Sequence, residues 1–135
     1  MQKEIKHTWF FSRSPQEVWE YLTKPELIEQ WLMKTDFKPI VGHKFRFTTT
    51  SGKIIHCEVL EVNPFNRLSY KWLANSANGN KTFDSKVVWT PVPKDNGTEL
   101  QLVHDGFIEL EDYVGHNNGW ARLGNKLVEL LNTDK

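Results

Sequence analysis

Cysteine is almost absent from this chain of 135 residues, where Cys57 stands alone. One thiol closes no internal disulfide, so the fold has to be held by its core. An excess of either charge is missing too. Seventeen Lys and Arg balance 17 Asp and Glu, for a formal net charge of zero, and no basic run occurs. Nucleic acid and anionic membrane are thereby disfavoured as main partners, because both are held by a basic face. No apolar run approaches the roughly 18 residues that cross a bilayer. The opening Met1-Gln2-Lys3-Glu4-Ile5-Lys6-His7 is polar, unlike a secretory leader. The expectation is a soluble, cytoplasmic protein without membrane insertion. His7, His43, His56, His104 and His116 show no HxH, HExxH or HxxxH spacing, and no second cysteine joins them, so no metal is expected. Gly115, Gly119 and Gly124 do not follow a strand as a phosphate loop does, and no cofactor is expected. Repeats, linkers and low-complexity stretches are also missing, so one domain over 1–135 is expected.

What the chain has instead is aromatic surface: 13% of its residues, with six Trp and eight Phe. Such side chains demand a large core or a lined pocket. A domain of this length buries roughly two-thirds of its unfolded surface, enough to hold one core.

Ile5, His7, Trp9 and Phe11 alternate with Lys6, Thr8 and Phe10, which predicts a strand over 4–12. Ser14-Pro15-Gln16-Glu17 then predicts a helix start, with Ser14 as cap, Pro15 in the first turn and Glu17 closing a capping box. Thr23-Lys24-Pro25-Glu26 repeats that signal. Two short helices are expected, at about 15–22 and 25–32. Phe45 and Phe47 mark a strand, Ser51-Gly52 a hairpin turn, and 53–63 a longer strand with a bulge at Val59-Leu60. Leu68, Tyr70 and Trp72 alternate in the next strand. Residues 75–81 are expected to form a loop, 83–90 a strand, 91–97 a turn holding two prolines, and 100–107 the last strand. Trp120, Leu123, Leu127 and Leu130 recur at helical steps, so an amphipathic helix is expected from near Trp120 to about Leu131. Six largely antiparallel strands and a long terminal helix imply an α+β fold with the helix packed on the sheet.

These segments together resemble a known group. Ser14-Pro15-Gln16-Glu17-Val18-Trp19, Pro25-Glu26-Leu27 and Gln30-Trp31 look like the opening of the START-like (SRPBCC) superfamily. Val41-Gly42-His43-Lys44-Phe45, Glu58-Val59-Leu60-Glu61-Val62-Asn63-Pro64, Arg67-Leu68-Ser69-Tyr70-Lys71-Trp72, Gly97-Thr98-Glu99-Leu100 and Gly119-Trp120 continue the likeness. The nearest branch is the activator of heat-shock ATPase homologue family. The resemblance covers essentially the whole chain. It implies a helix-grip fold: a curved six-stranded antiparallel sheet around a long C-terminal helix, with two short helices after the first strand and a cavity for an apolar ligand between. His56-Cys57 departs from the glycine common before the Glu58 strand, and a larger side chain there is expected to narrow such a cavity or to change the strand geometry.

His104 shares a strand face with Leu100 and Leu102 and is the sharpest candidate. It hydrogen-bonds a ligand, acts as a general base, or is a core histidine with a local partner; Asp105 points to the opposite face and is no acid partner. Trp31, Trp72 and Trp120 either line the pocket or fill the core. Phe45, Phe47, Val59, Tyr70 and Phe83 are further inward candidates, the Tyr70 hydroxyl serving a ligand or reaching water. Leu123 and Leu127 supply the helix side. Gly119 and Gly124 are expected to let the helix approach the sheet. Cys57 is expected to be an inert thiol. Glu109, Glu111 and Asp112 suit the positive end of the helix.

Three functions compete. The first is a module that binds a small apolar or aromatic molecule of lipid, polyketide or flavonoid class. The second is a cyclase- or aromatase-like enzyme, for which no convergent acid–base pair is visible. The third, implied by the resemblance alone, is a co-factor of a heat-shock chaperone.

Overall fold

Alternation of apolar and polar side chains turns each strand into a two-faced ribbon, and the apolar faces must meet cover. The computed structural model describes residues 3–76 and 82–132. The elements run β1 (Lys3–Phe11), α1 (Pro15–Thr23), α2 (Pro25–Trp31), β2 (Lys34–Thr35), β3 (Lys44–Thr48), β4 (Ile54–Asn63), β5 (Arg67–Asn75), β6 (Thr82–Lys94), β7 (Gly97–Phe107) and α3 (Leu110–Asn132). Every neighbouring pair in the sheet is antiparallel, in the order β1-β7-β6-β5-β4-β3-β2. β1 and β7 are thus neighbours although they lie at opposite ends of the chain. No helix among the described residues is long and apolar enough to cross a membrane.

The architecture is the expected helix-grip arrangement, with seven strands rather than six. The added strand, β2, has two residues and pairs with Thr48 and Phe47. Two residues carry no alternation to read. Thr35 holds it in place by donating from Oγ1 to the Arg46 carbonyl at 2.8 Å.

The capping box at Ser14 forms as expected. Glu17 N–H donates to Ser14 Oγ at 3.2 Å and Ser14 N–H donates to Glu17 Oε1 at 3.5 Å. At the second helix start Thr23 does not cap. Its hydroxyl donates back to the Trp19 carbonyl at 2.9 Å, and Lys24 occupies the cap position without a side-chain bond. Trp31 ties the two helices together through Nε1–H to the Tyr21 carbonyl at 2.9 Å.

The bulge expected at Val59-Leu60 is present: Val59 faces Tyr70, Glu61 faces Ser69, and Leu60 is the extra residue. A second bulge lies in β7 at Gly106, whose φ is +106°. There the register passes from Glu4↔Asp105 to Lys3↔Phe107. The extra residue resets the alternation, so Phe107 turns inward beside His104, with ring centroids 4.6 Å apart.

Residues 91–97 are not the expected turn. β6 runs on to Lys94 and only Asp95-Asn96 separates it from β7, with Lys94 facing Gly97. A two-residue hairpin closes on a pair that exchanges both hydrogen bonds, so alternate residues turn their nitrogens the other way. Pro93 and Pro91 are those alternates. Their nitrogens face the side where β5 has already ended, at the pair Leu68↔Trp89, and no ladder bond is lost. Of the loop expected at 75–81, Asn75 ends β5, and 77–81 lie outside the described residues.

Candidate functional site

α3 packs on β1, β7 and α2. Its second half is pressed onto the sheet. Leu127 and Leu131 are buried, and a Cβ added at Gly124 would overlap the Trp9 indole. Gly124 thus permits the close approach expected of it. Gly119 differs: nothing lies within 4 Å of a Cβ there or at Gly115. The first half of α3 meets the sheet through His116 and Asn117, and its two glycines border open space.

The aromatic core fills the middle of the grip. Phe37, Phe45, Phe47 and Tyr70 pack edge to face or tilted, with ring centroids between 4.9 and 6.3 Å apart. Trp31 meets Trp89 at 5.9 Å, and Trp89 meets Trp120 at 5.4 Å. The Trp89 N–H donates to the Tyr70 hydroxyl at 2.9 Å. Burial pushes the Tyr70 phenol far above its usual range. Cys57 is buried between its cross-strand partners Phe45 and Trp72. Burial pushes its thiol up as well, which leaves it unreactive.

His104 sits at the centre of this core with 0% exposure. Trp120 Nε1–H donates to its Nδ1 at 2.9 Å. An indole nitrogen only donates, so Nδ1 carries no proton and the neutral ring holds its proton on Nε2. Nε2–H therefore donates to Ser85 Oγ, 2.8 Å away. Ser85 passes its own proton to the Trp72 carbonyl at 2.9 Å. Each member of this chain donates once in one direction. Burial, reinforced by neighbouring His116, holds the His104 pKa well below the usual imidazole range. This is a core histidine with fixed partners.

His116 has the opposite tautomer. Its Nδ1–H donates to the Asp112 carbonyl, one helical turn back, at 2.9 Å, and its Nε2 accepts from Trp72 Nε1–H at 3.3 Å. Burial lowers its pKa, against the Asp112 carbonyl and carboxylate, which favour the charged form. Ser76 donates to the buried Asp112 carboxylate at 2.7 Å.

Beside the glycines of α3 an open cleft of about 290 Å³ remains between the first half of that helix, the ends of β4 and β5, and the segment after α2. Met33, Ile55, Leu123, Gly115 and Gly119 give it apolar sides, and Asn75, Glu111, Asp112 and His116 its polar groups. Trp72 and Trp120 form the floor but are only 2% exposed each, so their rings are mostly covered.

Of the residues singled out from sequence, Trp72, Trp120 and Leu123 meet this cleft. Trp31, Phe45, Phe47, Val59, Tyr70, His104 and Leu127 lie in the closed core. Phe83 is half-buried behind His116, 5.3 Å between rings. Sequence reasoning passed over Ser85 and His116. Ser85 shares the inward alternation of Val87 and Trp89, the one polar member of that face. His116 and Asp112 extend the stripe of Trp120 and Leu123 backwards at steps of four.

A seven-stranded antiparallel sheet gripping a C-terminal helix, with two short helices at one end, defines a START-like helix-grip protein. The sequence matches a family model over residues 12–132, and the chain belongs to the family described as Activator of Hsp90 ATPase homolog 1-like protein. Among solved structures, protein MLL2253 from Mesorhizobium loti is 38% identical, covers 98% of this chain and 100% of its own, and superposes with a TM-score of 0.91. The Aha1 dimer from Colwellia psychrerythraea is 20% identical over 98% of each chain, with a TM-score of 0.81. DynU16, from the dynemicin biosynthetic locus, is 21% identical over 96% of this chain and 47% of its own, with a TM-score of 0.83. At those identities the last two share the fold. No curated protein matches the sequence.

Proposed function

We propose that this protein binds a compact apolar or aromatic small molecule in the cleft beside the first half of α3. The observation that carries the reading is the open space at Gly115 and Gly119, part of a cleft of about 290 Å³ beside a filled core. Small-molecule sites usually enclose about 300–1,000 Å³, so the cleft suits a ring system of polyketide or flavonoid type better than a long acyl chain. Met33, Ile55 and Leu123 would give up apolar surface to the ligand, and the edges of Trp72 and Trp120 would meet its inner end. The buried, unpaired thiol of Cys57 is compatible with a reducing, cytoplasmic setting.

Titration of the ¹⁵N-labelled protein with naphthols, flavonoids and fatty acids tests this reading. Amide shifts centred on Gly115, Gly119 and Leu123 are expected with the ring compounds. Gly119→Leu, which places a side chain in the open space, should weaken that binding by more than about tenfold, since a tenfold loss needs only ~1.4 kcal/mol. Absence of shifts with every compound, or binding indifferent to this substitution, overturns it.

A further inference from the structure

The polar groups of the cleft are unevenly divided between donors and acceptors, and this goes beyond the size and apolarity argued above while resting on the same site. Both indole N–H groups of the floor are spent inside the protein, Trp120 on His104 and Trp72 on His116. The His116 N–H is spent on the Asp112 carbonyl. The lone pair of His116 Nε2 is spent as well, on the 3.3 Å bond from Trp72, so the charged groups among the lining residues are two carboxylates, exposed Glu111 and buried Asp112. Carboxylates accept and do not donate. Among the described residues, Asn75 at the end of β5 brings the one amide donor of the lining side chains, and no Lys or Arg lines the cleft, although the chain has 17 of them. The N-terminus of α3 would draw an anion, but Glu111 and Asp112 occupy that first turn and offset it.

We infer that the cleft selects ligands whose polar group is a hydrogen-bond donor, a phenolic hydroxyl or an amine, and rejects carboxylates. A carboxylate placed there meets like charge from Glu111 and Asp112 and finds its acceptors facing acceptors. Such mismatches discriminate by leaving polar groups unpaired. A hydroxyl or ammonium instead finds the Glu111 carboxylate as its acceptor.

The test uses one scaffold with three polar groups: 2-naphthol, 2-naphthylmethylamine and 2-naphthoate, titrated by NMR at neutral pH. The naphthol and the amine should bind about tenfold more tightly than the naphthoate, in keeping with a partly exposed charge and one hydrogen bond. Glu111→Lys, an exposed change that leaves the core untouched, should erase or reverse the difference between amine and naphthoate. Glu111→Gln should weaken the amine while sparing unsubstituted naphthalene. If naphthoate binds as well as the others, the cleft is a ligand site but this selection is wrong. If none of the three shifts the cleft amides, the proposed function falls and the selection with it.

Discussion

Gly119 and Gly124 lie little more than one turn apart on α3, yet one faces empty space and the other the face of a buried indole. At Gly124 the helix presses so close to β1 that a Cβ would overlap Trp9. At Gly119 a Cβ meets nothing within 4 Å. The same residue type therefore closes one half of the grip and opens the other. The closed half is apolar, with Leu127 and Leu131 buried. The open half carries Glu111, Asp112, His116 and two glycines, and there the cleft begins. A helix of uniform composition would lie flat on the sheet along its whole length; here a change of side-chain size and polarity divides it into a clamp and a wall.

Gly124→Ala should break this comparison most forcefully. Overpacking a tight site costs about 1–3 kcal/mol, more than the ~1 kcal/mol that alanine returns in a helix. Urea unfolding should therefore show a clearly lower midpoint, and an unchanged midpoint would mean that α3 does not press on Trp9.

Acidification should have the next largest effect, at the two histidines beneath the first half of α3. His104 and His116 both have lowered pKa values in the fold. A depressed histidine binds fewer protons folded than unfolded, so its effect is nil above the unfolded value near 6.5 and stability falls as pH drops through it. The expected slope is about 1.4 kcal/mol per pH unit for each histidine that stays neutral. His116→Gln, which keeps an acceptor for Trp72, should lessen that slope between about pH 6.5 and 5.5. A slope identical in the variant would assign the loss to other groups.

Gly119→Ala sharpens the comparison at the smallest scale. With open space around the new methyl group, helix propensity alone acts, and a gain of about 0.5–1 kcal/mol is expected. A loss in thermal unfolding would show that this half of the helix is as tightly fitted as the other.

Much of the fold was legible in the residues because the signals are local. Strand alternation, the Ser14 capping box, the Leu60 bulge and the Leu123–Leu127 stripe each depend on neighbours in the chain. The start of α3 was not, because residues 110–119 turn mostly polar side chains such as Asp112, His116 and Asn117 to the sheet and carry a weaker apolar stripe than the half after Trp120. β2 is too short to alternate. Pro91 and Pro93 signal a turn until it is known that β5 ends before them. At the site, Trp72, Trp120 and Leu123 were visible as aromatic or apolar positions, whereas His116 was masked by a polar stretch. His104 was conspicuous for being the polar residue on an apolar face, and its position pointed equally to a ligand contact and to a structural bond.

By itself the sequence determined the order of the longer elements, the inward face of the longer strands and the family, since these follow from periodicity and from motifs read along the chain. The tertiary structure alone decided what His104 does. Its partners, Ser85 and Trp120, come from β6 and α3 and meet it only when the sheet closes on the helix. The same closure decided where space remains. Packing filled the centre with indoles and phenyl rings, and left open a cleft where the glycines of α3 put no side chain into the space.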